Sequence, residues 1–125
     1  MKIILIFLLL VLPNLAFTQT VNNVNLSELD VEYIEVVPFR KPFNNKKVYL
    51  LIDYGQQIEI VAFVRPESSK VKDENEQELV FNSNIDCLNF MSKFGYELFT
   101  KTEKVSEGIS YSVYLLRKKR KINKE

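Results

Sequence analysis

Side chains able to do bond-making chemistry are few in this chain. Among its 125 residues there is no His and one Cys, Cys87. A Cys–His nucleophile pair and a Ser–His–Asp triad therefore cannot be assembled. Zinc sites of the usual His/Cys kinds need more ligands than one thiol. The three glycines, Gly55, Gly95 and Gly108, stand apart, so no Gly-rich loop is present to cradle phosphate. What survives is acid–base work by two carboxylates, as in glycoside hydrolysis. Glu35, Asp53, Glu59 and Glu97 are candidates, but their spacing singles out no two of them. Carboxylates on strand faces that point to water are the simpler expectation, and the chain reads as non-enzymatic, with no catalytic, cofactor-binding or metal-ligating set.

Two charged runs invite binding readings. Asp73, Glu74, Glu76 and Glu78 resemble a calcium loop only in charge. They lack the D-x-D-x-D-G register and the glycine of an EF-hand, so a solvated loop is expected. The C-terminal run Arg117, Lys118, Lys119, Arg120, Lys121 and Lys124 leaves the remaining body acidic. It could hold anionic lipid, envelope polysaccharide or nucleic acid by charge alone, or serve as a solvated tail that keeps a small domain soluble.

The elements that would position these groups begin after a leader. Lys2, the apolar run Ile3 to Leu12, Pro13-Asn14 and the small residues of Ala16-Phe17-Thr18 form a secretory signal peptide, residues 1–18, cleaved before Gln19. Ten apolar residues fall short of the ~20 that a spanning helix needs, so no transmembrane segment is expected after cleavage. No Cys follows the run to take a lipid. Cleavage removes one Lys from the 17 basic residues and none of the 16 acidic ones. The exported chain would be near neutral, and nucleic acid is not an expected partner. An exported protein with one Cys has no internal disulfide. Cys87 is either a small core hydrophobe or a reactive or intermolecular thiol.

Residues 19–29, polar and Asn-rich, read as a flexible lead-in. A single domain is expected over residues 30–117, followed by the basic tail, 118–125. Within the domain, Asp30 to Phe39 reads as a strand that Pro38 ends or marks as an edge. Arg40 to Lys46 reads as a turn. Residues 47–54 give a strongly apolar strand suited to a central position. Residues 58–64 give a third, and Arg65 to Glu78 an exposed loop. Tyr96 to Lys104 pairs with Ile109 to Arg117 across Ser106-Glu107-Gly108.

Between them lies the one amphipathic helix. Ser83 stands at the N-cap with Asp86 three positions on, a short-armed capping box. Ile85, Cys87, Leu88, Phe90, Met91 and Phe94 cover an arc of about 220° at 100° per residue, and Gly95 supplies the stop. The arc exceeds what one sheet face covers, so either a second element, around residues 55–80, or a partner must meet part of it.

The stretch L-N-F-M-S-K-F-G-Y-E-L, Leu88 to Leu98, resembles the signature L-N-x(5)-G-W-E-L of a family of small secreted bacterial domains of unknown function. Tyr96 stands where that family usually has Trp. D-Y-G-Q at Asp53, K-D-E-N at Lys72, F-N-S at Phe81 and Y-L-L-R-K at Tyr114 are similar to proteins of the same group, so the likeness spans roughly Val31 to Lys118. It implies a fold but no activity, ligand or functional residue. The expected architecture is α+β: an antiparallel sheet of about five strands, with the helix, about 84–94, packed on one face. The expected role is a non-catalytic interaction module of the periplasm or cell envelope, with another envelope protein as partner, or a binder of anionic surfaces through the basic tail.

Overall fold

Period-two alternation puts Ile34 and Val36 on one side of the strand Tyr33–Lys41, and Val48, Leu50 and Ile52 on one side of the strand Asn44–Asp53. Their pairing, with Val36 opposite Ile52 and Pro38 opposite Leu50, makes that side continuous. The structure, a computed structural model, describes residues 18–41, 44–58, 65–106 and 108–120. In chain order the strands are β1 (Thr20–Val21), β2 (Val24–Asn25), β3 (Tyr33–Lys41), β4 (Asn44–Asp53), β5 (Val71–Lys72), β6 (Tyr96–Ser106) and β7 (Ile109–Lys118). Among the described residues the one α-helix, α1 (Asn84–Ser92), precedes β6.

The fold is α+β, but the described strands form two antiparallel sheets, of three and four strands, rather than one of five. The larger runs β4-β3-β7-β6; the smaller runs β2-β1-β5. The register Ile34↔Leu116 and Val36↔Tyr114 carries the inner face of β3 across to β7. Val21, Leu26, Val71, Cys87 and Met91 complete the same core. Burying an aliphatic side chain of this kind contributes roughly 1.5–3 kcal/mol.

Several expectations need correcting. The supposed lead-in is structured: β1 and β2 form a hairpin turning on Asn22 and Asn23, at φ 50° and 61°. Asn tolerates this left-handed backbone better than other non-glycine residues. The hairpin anchors Val21, Leu26 and Leu29, all buried. Pro38 does not end β3, which continues to Lys41. Pairing with β7 stops at Val36↔Tyr114, so around Pro38 only the β4 side carries a ladder, a place where a missing N–H is tolerated.

Among the described residues, β4 stands at one end of its sheet rather than between two strands. Its apolar run reflects cover on both faces and along its edge. Tyr49 is buried with Arg65 above its ring at 5.1 Å. Phe81 and Lys70 bridge to Val48 and Leu51. The expected strand at 58–64 falls on residues 59–64 outside the described residues.

The charged stretch after Arg65 is not a bare loop. It contains a 3-10 turn, Glu67–Ser69, and β5, where Val71 is 1% exposed. Asp73 closes a turn of its own, its Oδ1 accepting from the N–H groups of Asn75 at 2.8 Å and Gln77 at 3.0 Å. Glu67 holds Lys70 at 2.7 Å and also Lys72, and these bonds lower its pKa to about 2.

α1 has the expected start. Ser83 Oγ accepts from Asp86 N at 3.1 Å, while the short Asp86 carboxylate reaches Asn82 N, at 2.9 Å, rather than the cap's own N–H. The helix ends at Ser92 and unwinds through a turn to Gly95, at φ +85°. Cys87 and Met91 are sealed in the core, and Phe81 packs edge-on against Phe90 with ring centres 5.1 Å apart. Ile85 is 62% exposed. The over-wide apolar arc is thus covered in part, by the segment leading into the helix.

Candidate functional site at the β6 edge

The β6–β7 hairpin is the longest paired unit of the fold. Its register runs from Tyr96↔Lys118 to Ser106↔Ile109. Tyr96 fixes its base: the ring is buried and its hydroxyl donates to Val31 O at 2.9 Å. Lys119 N donates to Gly95 O at 2.7 Å, and Lys118 N to Glu32 O at 2.8 Å. β7 meets β3 only over Tyr33–Val36 with Tyr114–Arg117. The rest of the hairpin runs past that contact.

Beyond Tyr96, every residue of β6 is exposed. The strand ends its sheet, and among the described residues none pairs with its outer side. The opposite end of the sheet contrasts with it, because β4 is bridged by Phe81 and Lys70. A bulge at Leu98–Thr100 turns out Phe99, 53% exposed, which packs edge-on against Tyr33 at 6.0 Å and lies under Arg117 at 5.1 Å. Leu98, Val105 (73% exposed) and Ile109 (69%) add apolar surface toward the hairpin's two ends.

Between them the strand is polar and regular. Lys101 Nζ lies 3.0 Å from Glu103 Oε1, which also accepts from Ser112 Oγ at 2.6 Å. The Ser112 and Lys101 hydrogen bonds hold Glu103 below the usual carboxylate range, and Glu103 raises Lys101. Counting back from the two-residue turn, Ser106, Lys104, Thr102 and Thr100 direct their backbone polar groups toward β7. Lys101, Glu103 and Val105 direct theirs outward, by the alternation of an antiparallel ladder.

The residues singled out by sequence fare differently. Of the basic run, Lys118 belongs to β7 rather than to a tail, donating to Leu29 O at 2.7 Å beside Asp30. Arg120 pairs with Glu32 at 3.0 Å, and Arg117 covers Phe99. Three of the cations are thus tied to different parts of the surface; Lys121 and Lys124 lie outside the described residues. Glu35 and Asp53 are cross-strand partners and share a cleft of about 570 Å³ with Val37, Leu51, Ser106 and Tyr111. Asp53 is exposed, and its Oδ1 accepts from Gly55 N at 2.9 Å. Glu97 is exposed opposite Arg117, and Glu59 lies outside the described residues. Burial pushes the Cys87 thiol up to about 12, which makes it a core hydrophobe rather than a nucleophile.

The second cleft, of about 540 Å³, is bounded by Asn22, Asn23, Arg65, Lys70 and Lys72. Glu67 holds both lysines and Glu78 holds Arg65, so its cations already have partners. Sequence reading did not single out Lys101, Thr102 and Glu103. The available signal was the even alternation T-K-T-E-K-V, which marks a strand but not its place in a sheet.

The chain matches no family model, no curated protein and no solved structure.

Proposed function

We propose that this is an exported, non-catalytic interaction module that binds another polypeptide by strand addition along β6. The observation that carries this reading is the asymmetry of the four-stranded sheet. One edge is bridged by the protein's own chain, while the other, unpaired among the described residues, is an eleven-residue strand on which Lys101, Glu103 and Val105 direct backbone donors and acceptors outward. Main-chain bonds would supply affinity, and Phe99, Val105 and Ile109 would favour a partner strand with apolar residues. Export before Gln19 would leave in place the backbone bond from Leu26 N to Gln19 O at 2.9 Å.

The basic run supports an anionic-surface reading less well, because its cations at positions 117, 118 and 120 are dispersed onto Phe99, Leu29 and Glu32.

Glu103→Pro tests the reading. It removes one outward N–H, while Glu103 directs no backbone bond to β7. Protein recovered after export, with its N-terminus at Gln19, should capture an envelope polypeptide, and Glu103→Pro should lose it while Glu103→Ala keeps it. Equal capture by both variants would overturn strand addition.

A further inference from the structure

We propose that the strand added at β6 is β6 of a second copy of this chain, related by a two-fold axis through Thr102. The inference rests on the strand-addition reading and names its partner. Antiparallel pairing about Thr102 sets Thr102 opposite itself, Lys101 opposite Glu103 of the other copy, and Thr100 opposite Lys104. The strand is therefore complementary to itself in charge. Each Lys101–Glu103 pair, now 3.0 Å apart on one face of β6, would join its counterpart in a four-membered cluster of alternating sign.

The same register satisfies the backbone. Lys101 and Glu103 are the residues that direct N–H and C=O outward, so opposing them forms the closely spaced hydrogen-bonded pairs on either side of the axis. Thr102, whose backbone bonds to β7, falls at the non-bonded position on the axis, where β-branched residues pack well. Shifting the axis to Lys101 or Glu103 would place like charges opposite each other there. The arrangement is isologous and closes at two copies, so it does not propagate into a fibre. It would extend the sheet to the order β4-β3-β7-β6-β6-β7-β3-β4. Val105 of each copy comes level with the exposed Phe99 of the other, which places apolar surface at both ends of the contact.

Charge reversal distinguishes this pairing from any other dimer. In Lys101→Glu, two acidic residues on each strand would face two acidic residues on the other. In Glu103→Lys, all four would be basic. The chain from Gln19 onward contains every core residue named above and can be studied by sedimentation equilibrium, with circular dichroism checking that each variant is folded. Wild type should dimerise. Each single variant should weaken self-association by about tenfold or more, and an equimolar mixture of the two should restore a 1:1 heterodimer. A wild type that stays monomeric up to millimolar concentration overturns the second copy. So does a dimer indifferent to both substitutions and to mixing. Neither result decides the broader reading, since the Glu103→Pro experiment measures strand addition by any polypeptide that reaches β6.

Discussion

Cys87 lies on the buried side of α1, its Sγ shielded from water, with its pKa pushed from 9.0 to about 12 by desolvation and by Asp86 beside it. A thiol whose folded pKa is raised binds its proton more tightly in the native state. That stabilisation is fully present below the unfolded value and is lost as pH rises through the folded one. Stability should therefore fall between about pH 9 and 12, and Cys87→Ala should flatten that decline. Tyr96, raised in the same direction by burial, leaves a residual slope. Denaturant melts across that range check it; a decline identical in Cys87→Ala would show that the thiol carries none of it. The acid side should be shallow, because Glu67 is mostly exposed and pairs of that kind contribute at most about 1 kcal/mol.

At the scale of elements, α1 and the β6–β7 hairpin were the most legible. Each has local punctuation: Ser83 and Gly95 bracket the helix, and Gly108, at φ 77°, stands between β6 and β7. The rest failed for physical reasons. Two-residue strands such as β1, β2 and β5 show no period, and their places are set by distant partners, Thr20 with Lys72 and Val21 with Val71. Val48-Tyr49-Leu50-Leu51-Ile52 looked central because each side of it is covered, but cover came from loop residues that no pattern announces. The helix arc is similar, since Ile85 is at least as apolar as Met91 and only the docking direction separates them. Met91→Ala should therefore cost about 2–5 kcal/mol, and Ile85→Ala no more than about 0.5 kcal/mol. Equal losses would mean that Ile85 is covered in solution, contrary to its 62% exposure.

For the molecule as a whole, the candidate site was hardly legible, because an edge exists only once strand order is settled. Lys101, Thr102 and Glu103 have unremarkable spacing; what distinguishes them is that the sheet ends there. The same holds in reverse for the basic run, conspicuous in sequence yet divided in space between Phe99, Leu29 and Glu32. Among the described residues, no helix is long and apolar enough to cross a membrane. Nothing among the described residues pairs with the outer side of β6. Amide hydrogen exchange, resolved residue by residue in dilute protein, measures this directly. Thr102 and Lys104 should be protected by β7, with Lys101, Glu103 and Val105 exchanging rapidly and gaining protection as concentration rises or a partner binds. Slow exchange at Lys101, Glu103 and Val105 at every dilution would mean that the edge is already covered, and would contradict the account.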